Sequence, residues 1–389
     1  MNIIQWITFT TIENSSLGRR KMEVPFFSFK DLPTEIHTIW ANTINDELKK
    51  GKFIGGETLD DFESSFATYL GVPYCVGVAN GLDAITLSLK AIGIKPGMTV
   101  AVPSHTFIAT WIAVANSGAK PVGVDCDSSG LMDLDLLQNL GQNIDCVIPV
   151  HMHGQMVDMK RLISWTKPRG IKVVEDCAQS HGAKLENKFA GTWGDVGAFS
   201  FYPSKNLGAL GDAGAIVTHD EKIANQIRSL GNYGSKPKNK YDYLQLGTNS
   251  RLDSIQAAIL KVNLNYLEEW NYKRRAAAKN YYKFFDSLGI DHMPVKINES
   301  VHHHCIIYSK NRDKLREELQ KLGIGTEIHY PFSAEDSFSK ISNHTPRNNI
   351  NSRKISSTTL SLPISPWISS DQLEYVKKMF QTKEIMKIL

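Results

Sequence analysis

From Tyr74 onward, short apolar runs alternate with stretches whose apolar residues recur at helical spacing. The pattern predicts strands over residues 74–79, 99–102, 121–125, 145–150 and 172–175, with helices over 82–92, 107–116 and 158–167 between them. Two more short strands are predicted over 198–201 and 215–218. Alternation at this spacing predicts a parallel α/β sheet with helices on both faces. The apolar runs show little polar alternation, as expected for strands covered on both sides. Ile255, Ile259, Val262, Tyr266 and Trp270 fall at spacings of 4, 3, 4 and 4, which puts them on one face of a long helix. Residues 264–282 then carry the chain out of the sheet. Beyond them the pattern predicts strands over 303–308 and 325–330 and helices over 312–322 and 370–380, a smaller α+β unit. The polar stretch 333–357 has no clear period and reads as a loop. No internal repeat is visible.

With 389 residues, the chain is long enough for two or three domains and a large unstapled core. The expected division is an N-terminal extension over 1–22, disordered, a large domain over 23–265 and a small one over 266–389. Residues 1–12 are mildly apolar but lack the basic start and the small-residue cleavage site of a signal peptide. Met22, followed by Val24-Pro25-Phe26-Phe27, reads as a more natural start. A net charge of +4, evenly spread, gives no footprint for nucleic acid. No run of 18 apolar residues exists to span a membrane. Cys75, Cys126, Cys146, Cys177 and Cys305 are scattered and form no CxxC pair. Neither a disulfide framework nor a zinc knuckle is expected, and a reducing cytoplasm fits.

Three segments carry candidate chemistry. Asn80-Gly81-Leu82-Asp83-Ala84 sits where a strand turns into a helix. Free N–H groups and the helix dipole suit a phosphate there, although an ordinary capped βα turn has the same signature. There is no G-x-G-x-x-G fingerprint. In Val174-Glu175-Asp176-Cys177-Ala178-Gln179, an apolar strand ends on an acid, at the sheet edge where ligands bind. Asp176 can hold a protonated ring nitrogen or a metal, or simply cap a helix. His181 nearby reads as a hydrogen-bonded structural histidine. Ser200-Phe201-Tyr202-Pro203-Ser204-Lys205-Asn206-Leu207-Gly208 places one lysine in an apolar, glycine-rich setting. Burial lowers a lysine's pKa, and a neutral amine can form a Schiff base. The competing reading is a loop lysine in solvent. Together, a phosphate cradle, an acid for a pyridine nitrogen and such a lysine match what pyridoxal 5'-phosphate (PLP) requires. Phe107, after another strand end, can stack on a ring or belong to the core.

These segments, with Phe53-Ile54-Gly55-Gly56-Glu57, Pro103-Ser104-His105-Thr106-Phe107 and Asn249-Ser250-Arg251-Leu252-Asp253, form an ordered set over nearly the whole chain from Phe26. The set resembles the DegT/DnrJ/EryC1/StrS sugar aminotransferases. The resemblance implies the type I PLP-dependent (aspartate aminotransferase-like) α/β fold, a large mostly parallel sheet domain followed by a smaller α+β domain. It implies that Lys205 is the Schiff-base lysine and Asp176 the acid under the ring nitrogen, the two catalytic positions. Gln179 would lie near the cofactor's phenolic oxygen and Phe107 against its ring. Gly81, Leu82 and Ser200 would cradle the phosphate, with Asn249 supplied by the other subunit of a homodimer. Tyr202, Tyr233, His329 and Tyr330 match substrate contacts, and no metal is expected. Lys205 also separates the chain from related dehydratases, which carry histidine there.

Asn80-Gly81-Leu82-Asp83, Asn232-Tyr233-Gly234-Ser235 and Ile328-His329-Tyr330-Pro331 most resemble enzymes acting on dTDP-3-oxo-6-deoxyhexoses. The resemblance implies transfer of an amino group from L-glutamate to the C3 ketone of such a sugar, in the cytoplasm. The product, a dTDP-3-amino-3,6-dideoxyhexose, would serve surface polysaccharide (O-antigen) biosynthesis. The rival readings are the same chemistry at C4 of a nucleotide-linked 4-keto-6-deoxy sugar, and a PLP-fold sensor without catalysis. The chain departs from the family pattern at Phe332-Ser333-Ala334-Glu335-Asp336 and at His302-His303-His304. If the three histidines lie on a strand, alternation sends them to opposite faces, which argues against a shared metal.

Overall fold

The computed structural model describes residues 22–140, 143–236 and 239–389, so the extension expected over 1–22 lies, but for Met22, outside the described residues. Two helices precede the sheet, α1 (Thr34–Lys50) and α2 (Glu57–Leu70). Each ends on a glycine in the left-handed region, Gly51 (φ 66°) and Gly71 (φ 71°), where a Cβ would be strained. The sheet region then runs β1 (Tyr74–Val78), α3 (Gly81–Ala91), β2 (Thr99–Pro103), α4 (Ile108–Asn116), β3 (Lys120–Val124), α5 (Leu134–Gln138), β4 (Cys146–Val147), α6 (Met159–Thr166) and β5 (Lys172–Asp176). A short hairpin, β6 (Lys184–Leu185) and β7 (Lys188–Phe189), leads to β8 (Val196–Ser200) and β9 (Gly214–Thr218).

Seven strands form one sheet in the order β1-β9-β8-β5-β4-β2-β3. The sheet is mostly parallel, but β9 runs antiparallel to both β1 and β8. The other six strands therefore point the same way and bring their carboxyl ends to one edge. Alternation along the strands builds two cores. Ile216 packs with Leu87, Trp111 and Ile227 on one face, while Ala215 and Val217 pack with Phe66, Phe199 and Leu260 on the other. All five cysteines are buried and unpaired.

The chain continues through α7 (Glu221–Gly231), the small hairpin β10 (Ser235–Lys236) with β11 (Asn239–Tyr243), α8 (Ser254–Leu264) and α9 (Leu267–Leu288). The single helix expected through Ile255 and Trp270 is thus two, broken at Asn265–Tyr266. Asn263 marks the change of course: its side chain accepts from Trp40 Nε1 (2.7 Å) and donates to the Gly208 carbonyl (2.8 Å). The rest comprises β12 (Cys305–Tyr308), α10 (Arg312–Lys321), α11 (Ala334–Ser339), α12 (Ile350–Thr358), β13 (Thr359–Leu362), α13 (Ser370–Phe380) and α14 (Lys383–Met386). β12 pairs antiparallel with β13. They share a third core with Tyr281, Phe285, Leu315 and Phe380, which Val24 joins from the other end of the described chain. No described helix is long and apolar enough to cross a membrane.

Other expectations are corrected here. Residues 325–330 form no strand, because only isolated bridges tie Ile324 to Val24 and Glu327 to Ser361. The strand expected over 145–150 is reduced to Cys146–Val147 plus a single bridge from Val150 to Asp176. The stretch 333–357 is not a loop, since it holds α11 and α12. Its polar residues turn inward. The buried Glu335 carboxylate accepts from Ser104 Oγ (2.7 Å), the Arg347 N–H (3.0 Å) and Asn349, and lies 2.8 Å from His344 Nε2.

Candidate active site

The shared carboxyl edge of the six strands opens into a cavity of about 560 Å³, bounded on its other side by residues from α9 and the C-terminal region. Four strand ends supply its floor. After β1, Asn80 caps α3 by accepting from the Asp83 N–H (2.9 Å), which leaves the Gly81 and Leu82 N–H groups without partners among the described residues. Ser200, at the end of β8, faces them. A Cβ on Gly81 would come within 2.6 Å of Ser200 Cβ, so only glycine fits that close approach. Two adjacent free N–H groups, a hydroxyl and a helix N-terminus suit an anion.

Asp176 ends β5. It is 5 % exposed, and its carboxylate accepts from Thr110 Oγ1 (2.9 Å) and the Ala178 N–H (3.1 Å). Burial pushes its pKa up, while Ala178, Thr110 and the positive charge of Lys205 oppose the shift. Lys205 follows β8 in the turn after Ser200 and lines the same cavity. Its ammonium has no ion pair among the described residues, and burial pushes its pKa down to about 8, with Asp176 the opposing charge. The reading as a solvent-facing loop lysine therefore fails. Asn206 holds the turn in place by donating to Asn271 Oδ1 (2.8 Å) and the Val301 carbonyl (2.9 Å).

Phe107, after β2, is 54 % exposed and forms a cavity wall, which rules out its role as a core aromatic. Its ring lies 5.4 Å from that of Tyr330. The Tyr330 hydroxyl accepts from Gln179 Nε2 (3.0 Å), and Gln179 Oε1 accepts from the His153 N–H (2.7 Å). Tyr202 and His329 also line the cavity, with His329 Nδ1 lying 2.9 Å from Ser361 Oγ. Thus Gly81, Leu82, Phe107, Asp176, Gln179, Ser200, Tyr202, Lys205, His329 and Tyr330 converge on one space. Tyr233 and Asn249 do not line it. Both lie in an exposed segment, joined through the bridge between Asn232 and Asn249.

The histidines differ from expectation. His302 to His304 precede β12 rather than lie in it, and His302 adopts a left-handed φ of 45°. Strand alternation therefore does not apply, and His303 and His304 both reach the cavity wall. His303 Nδ1 donates to Asn206 Oδ1 (3.0 Å), because the Asn206 amide is already committed as a donor elsewhere. His181 is buried, packs between Phe199 and Phe201 and has the Ser200 backbone beside it; burial holds its pKa near 3. His151, Glu175 and Cys177 cluster closely enough to suggest a metal, but their polar atoms are engaged. His151 Nδ1 accepts from the Val157 N–H, so its Nε2–H donates to Glu175, which also accepts from three backbone N–H groups.

Residues 35–381 match the DegT/DnrJ/EryC1/StrS aminotransferase family. The chain belongs to this family. It is a PLP-dependent sugar aminotransferase of the type I fold. Among its relatives is the dTDP-3-amino-3,4,6-trideoxy-alpha-D-glucose transaminase of Streptomyces venezuelae, 38% identical over 354 residues, 90% of this chain and 93% of the relative. The dTDP-3-amino-3,6-dideoxy-alpha-D-galactopyranose transaminase of Aneurinibacillus thermoaerophilus is 39% identical over 357 residues, 91% and 97% of the two chains. The crystal structure of S. venezuelae DesV superposes with a TM-score of 0.87 at 36% identity, covering 92% of this aminotransferase and 99% of that chain.

Thr110 and Arg274 line the cavity but no motif singles them out, while His303 and His304, noted in the sequence only as a departure from the family pattern, line it too. For Arg274 a signal existed. Trp270, Arg274 and Ala278 recur every fourth residue on the buried stripe of α9, and an arginine in that stripe marks a buried charge.

Proposed function

We propose that this aminotransferase moves an amino group from L-glutamate to the C3 ketone of a dTDP-3-oxo-6-deoxyhexose. The product, a dTDP-3-amino-3,6-dideoxyhexose, would feed surface polysaccharide (O-antigen) assembly in the cytoplasm. The observation that carries the regiochemistry is the 38–39% identity with two transaminases whose names place the amino group on C3 of a dTDP-sugar.

The residues fit the cofactor. The Gly81 and Leu82 N–H groups and Ser200 would hold the phosphate, Asp176 the protonated ring nitrogen, Phe107 the ring face and Gln179 the phenolic oxygen. When bound, PLP supplies an electron sink that lets an amino group be exchanged for a ketone. Lys205 Nζ would anchor it covalently. Once displaced by the donor, the same amine would take the proton from the α-carbon of glutamate, and in the second half-reaction return one to C3 of the sugar. Tyr202, Tyr233, His329 and Tyr330 would contact the nucleotide sugar.

The expected acceptor assay is direct. With glutamate as donor, a dTDP-3-keto-6-deoxyhexose should be aminated at least about a hundredfold faster than its 4-keto isomer. Faster amination at C4 would overturn the assignment.

Asn249 and Tyr233, exposed and outside the cavity, support a homodimer in which each subunit completes its partner's site. Lys205→Ala and Asn249→Asp variants should each be impaired. Mixed heterodimers should regain activity, because one site then combines an intact Lys205 with an intact Asn249. Mixing that restores nothing, while heterodimers demonstrably form, would refute sharing.

A further inference from the structure

One charged group in the cavity remains without a function. Arg274 projects from α9 and is 3 % exposed. Its guanidinium makes one hydrogen bond among the described residues, from Nη1 to the Ile364 carbonyl (2.9 Å), while Nε is buried with no partner. It forms no ion pair with any described carboxylate. Burial alone acts on it, pushing its pKa down to about 10, so it stays charged at neutral pH. Its neighbours on the cavity wall, His303 and Ile364, bring no negative charge. The histidines nearby are held neutral by burial.

A buried guanidinium without a counter-ion costs several kcal/mol. A neutral donor would serve Ile364 as well, so one carbonyl does not account for five N–H donors in a planar fork. That fork matches a carboxylate held by two parallel hydrogen bonds. Two carboxylates line the cavity: Asp176 is already bonded to Thr110 and Ala178, and Asp212 forms no ion pair with Arg274 among the described residues.

We infer that Arg274 is the binding site for a carboxylate of the dicarboxylic amino donor, and for the 2-oxo acid that the donor becomes. This inference rests on the reading of glutamate as donor. It predicts that the cavity accepts its two substrates in turn by different means: the acidic donor through Arg274, the keto sugar without it.

The test uses holoenzyme loaded with PLP and titrated with glutarate, an inert dicarboxylate, by calorimetry. Arg274→Gln should weaken glutarate binding by about thirtyfold or more, the usual loss when one partner of a desolvated charge pair is removed. Arg274→Lys should lose less, since it keeps the charge but not the fork. In both variants KM for glutamate should rise, while a single turnover of pre-aminated enzyme with the keto sugar keeps its wild-type rate. Unchanged glutarate affinity in folded Arg274→Gln would overturn the inference. So would a slowed sugar half-reaction with glutarate binding intact, which is the mark of a purely structural residue. If Arg274→Gln does not fold, Arg274→Lys decides by the same two readouts. Glutarate binding does not depend on the acceptor, so failure of the C3 assignment and failure of this inference give different results.

Discussion

Replacing Lys205 with alanine is expected to lower transamination by more than about ten-thousand-fold, because it removes a covalent anchor and a proton carrier together. The near-visible absorbance of a lysine-bound cofactor should vanish in the same protein. The fold should survive. The ammonium makes no ion pair among the described residues, and the turn that carries it is held by Asn206 instead. A pH profile adds a second readout. Burial pushes the Lys205 pKa down to about 8, and the neutral amine is the nucleophile. Covalent capture of PLP by the apoenzyme should therefore slow as pH falls below about 8 and level off above it. An unmodified lysine in solvent would place that bend more than two units higher. Measured turnover near wild type in Lys205→Ala would end the assignment of this residue, and a capture rate indifferent to pH between 6 and 10 would end the burial argument.

Much of this site could be seen in the sequence, and the reasons are physical. The strand ends at Asp176 and Ser200 are legible because fully covered parallel strands are apolar until the residue where the sheet edge meets the cavity. Gly81 is legible as part of a strand-to-helix turn, although what compels glycine there, the closeness of Ser200, comes from a strand more than a hundred residues away. Other features were hidden. The antiparallel course of β9 leaves no trace in a run of apolar residues, since both orientations bury the same side chains. The helices between 333 and 357 escaped because they are short and their buried faces mix polar with apolar residues, Glu335 beside Ala334 and Phe338 in α11 and Ser352 and Ser356 beside Ile355 in α12. Glu335 is fully enclosed and satisfied by Ser104, Arg347, Asn349 and His344, so hydrophobic periodicity is interrupted there. The break between α8 and α9 was missed because apolar spacing continues across it, and only the hydrogen bonds of Asn263 betray the turn. The convergence of His303, His304 and Arg274 on the cavity depends on tertiary packing that no local pattern encodes.

Converting Asp176 to asparagine should cause the second largest loss of rate, smaller than loss of the lysine. The change keeps the shape and removes one negative charge. Asparagine Oδ1 can still accept from the Ala178 N–H, now 3.1 Å from Asp176 Oδ1. Its Nδ2 would then face Thr110 Oγ1, which can rotate to accept, since Thr106 Oγ1 lies 3.2 Å away to take the released proton. What is lost is the charge that keeps a pyridine nitrogen protonated. A desolvated pair of this kind is worth about 3–5 kcal/mol when one partner is removed, or roughly a hundredfold to several thousandfold in rate. Both half-reactions should slow alike, because each draws on the same cationic ring. This separates Asp176 from Arg274, whose loss should touch the donor half alone. A cofactor analogue methylated on the ring nitrogen carries its positive charge permanently, and should therefore recover part of the lost rate in Asp176→Asn and none in Lys205→Ala. Equal rates for wild type and Asp176→Asn, or a variant that loses its thermal stability instead of its rate, would mean that the carboxylate serves the protein interior and not the chemistry.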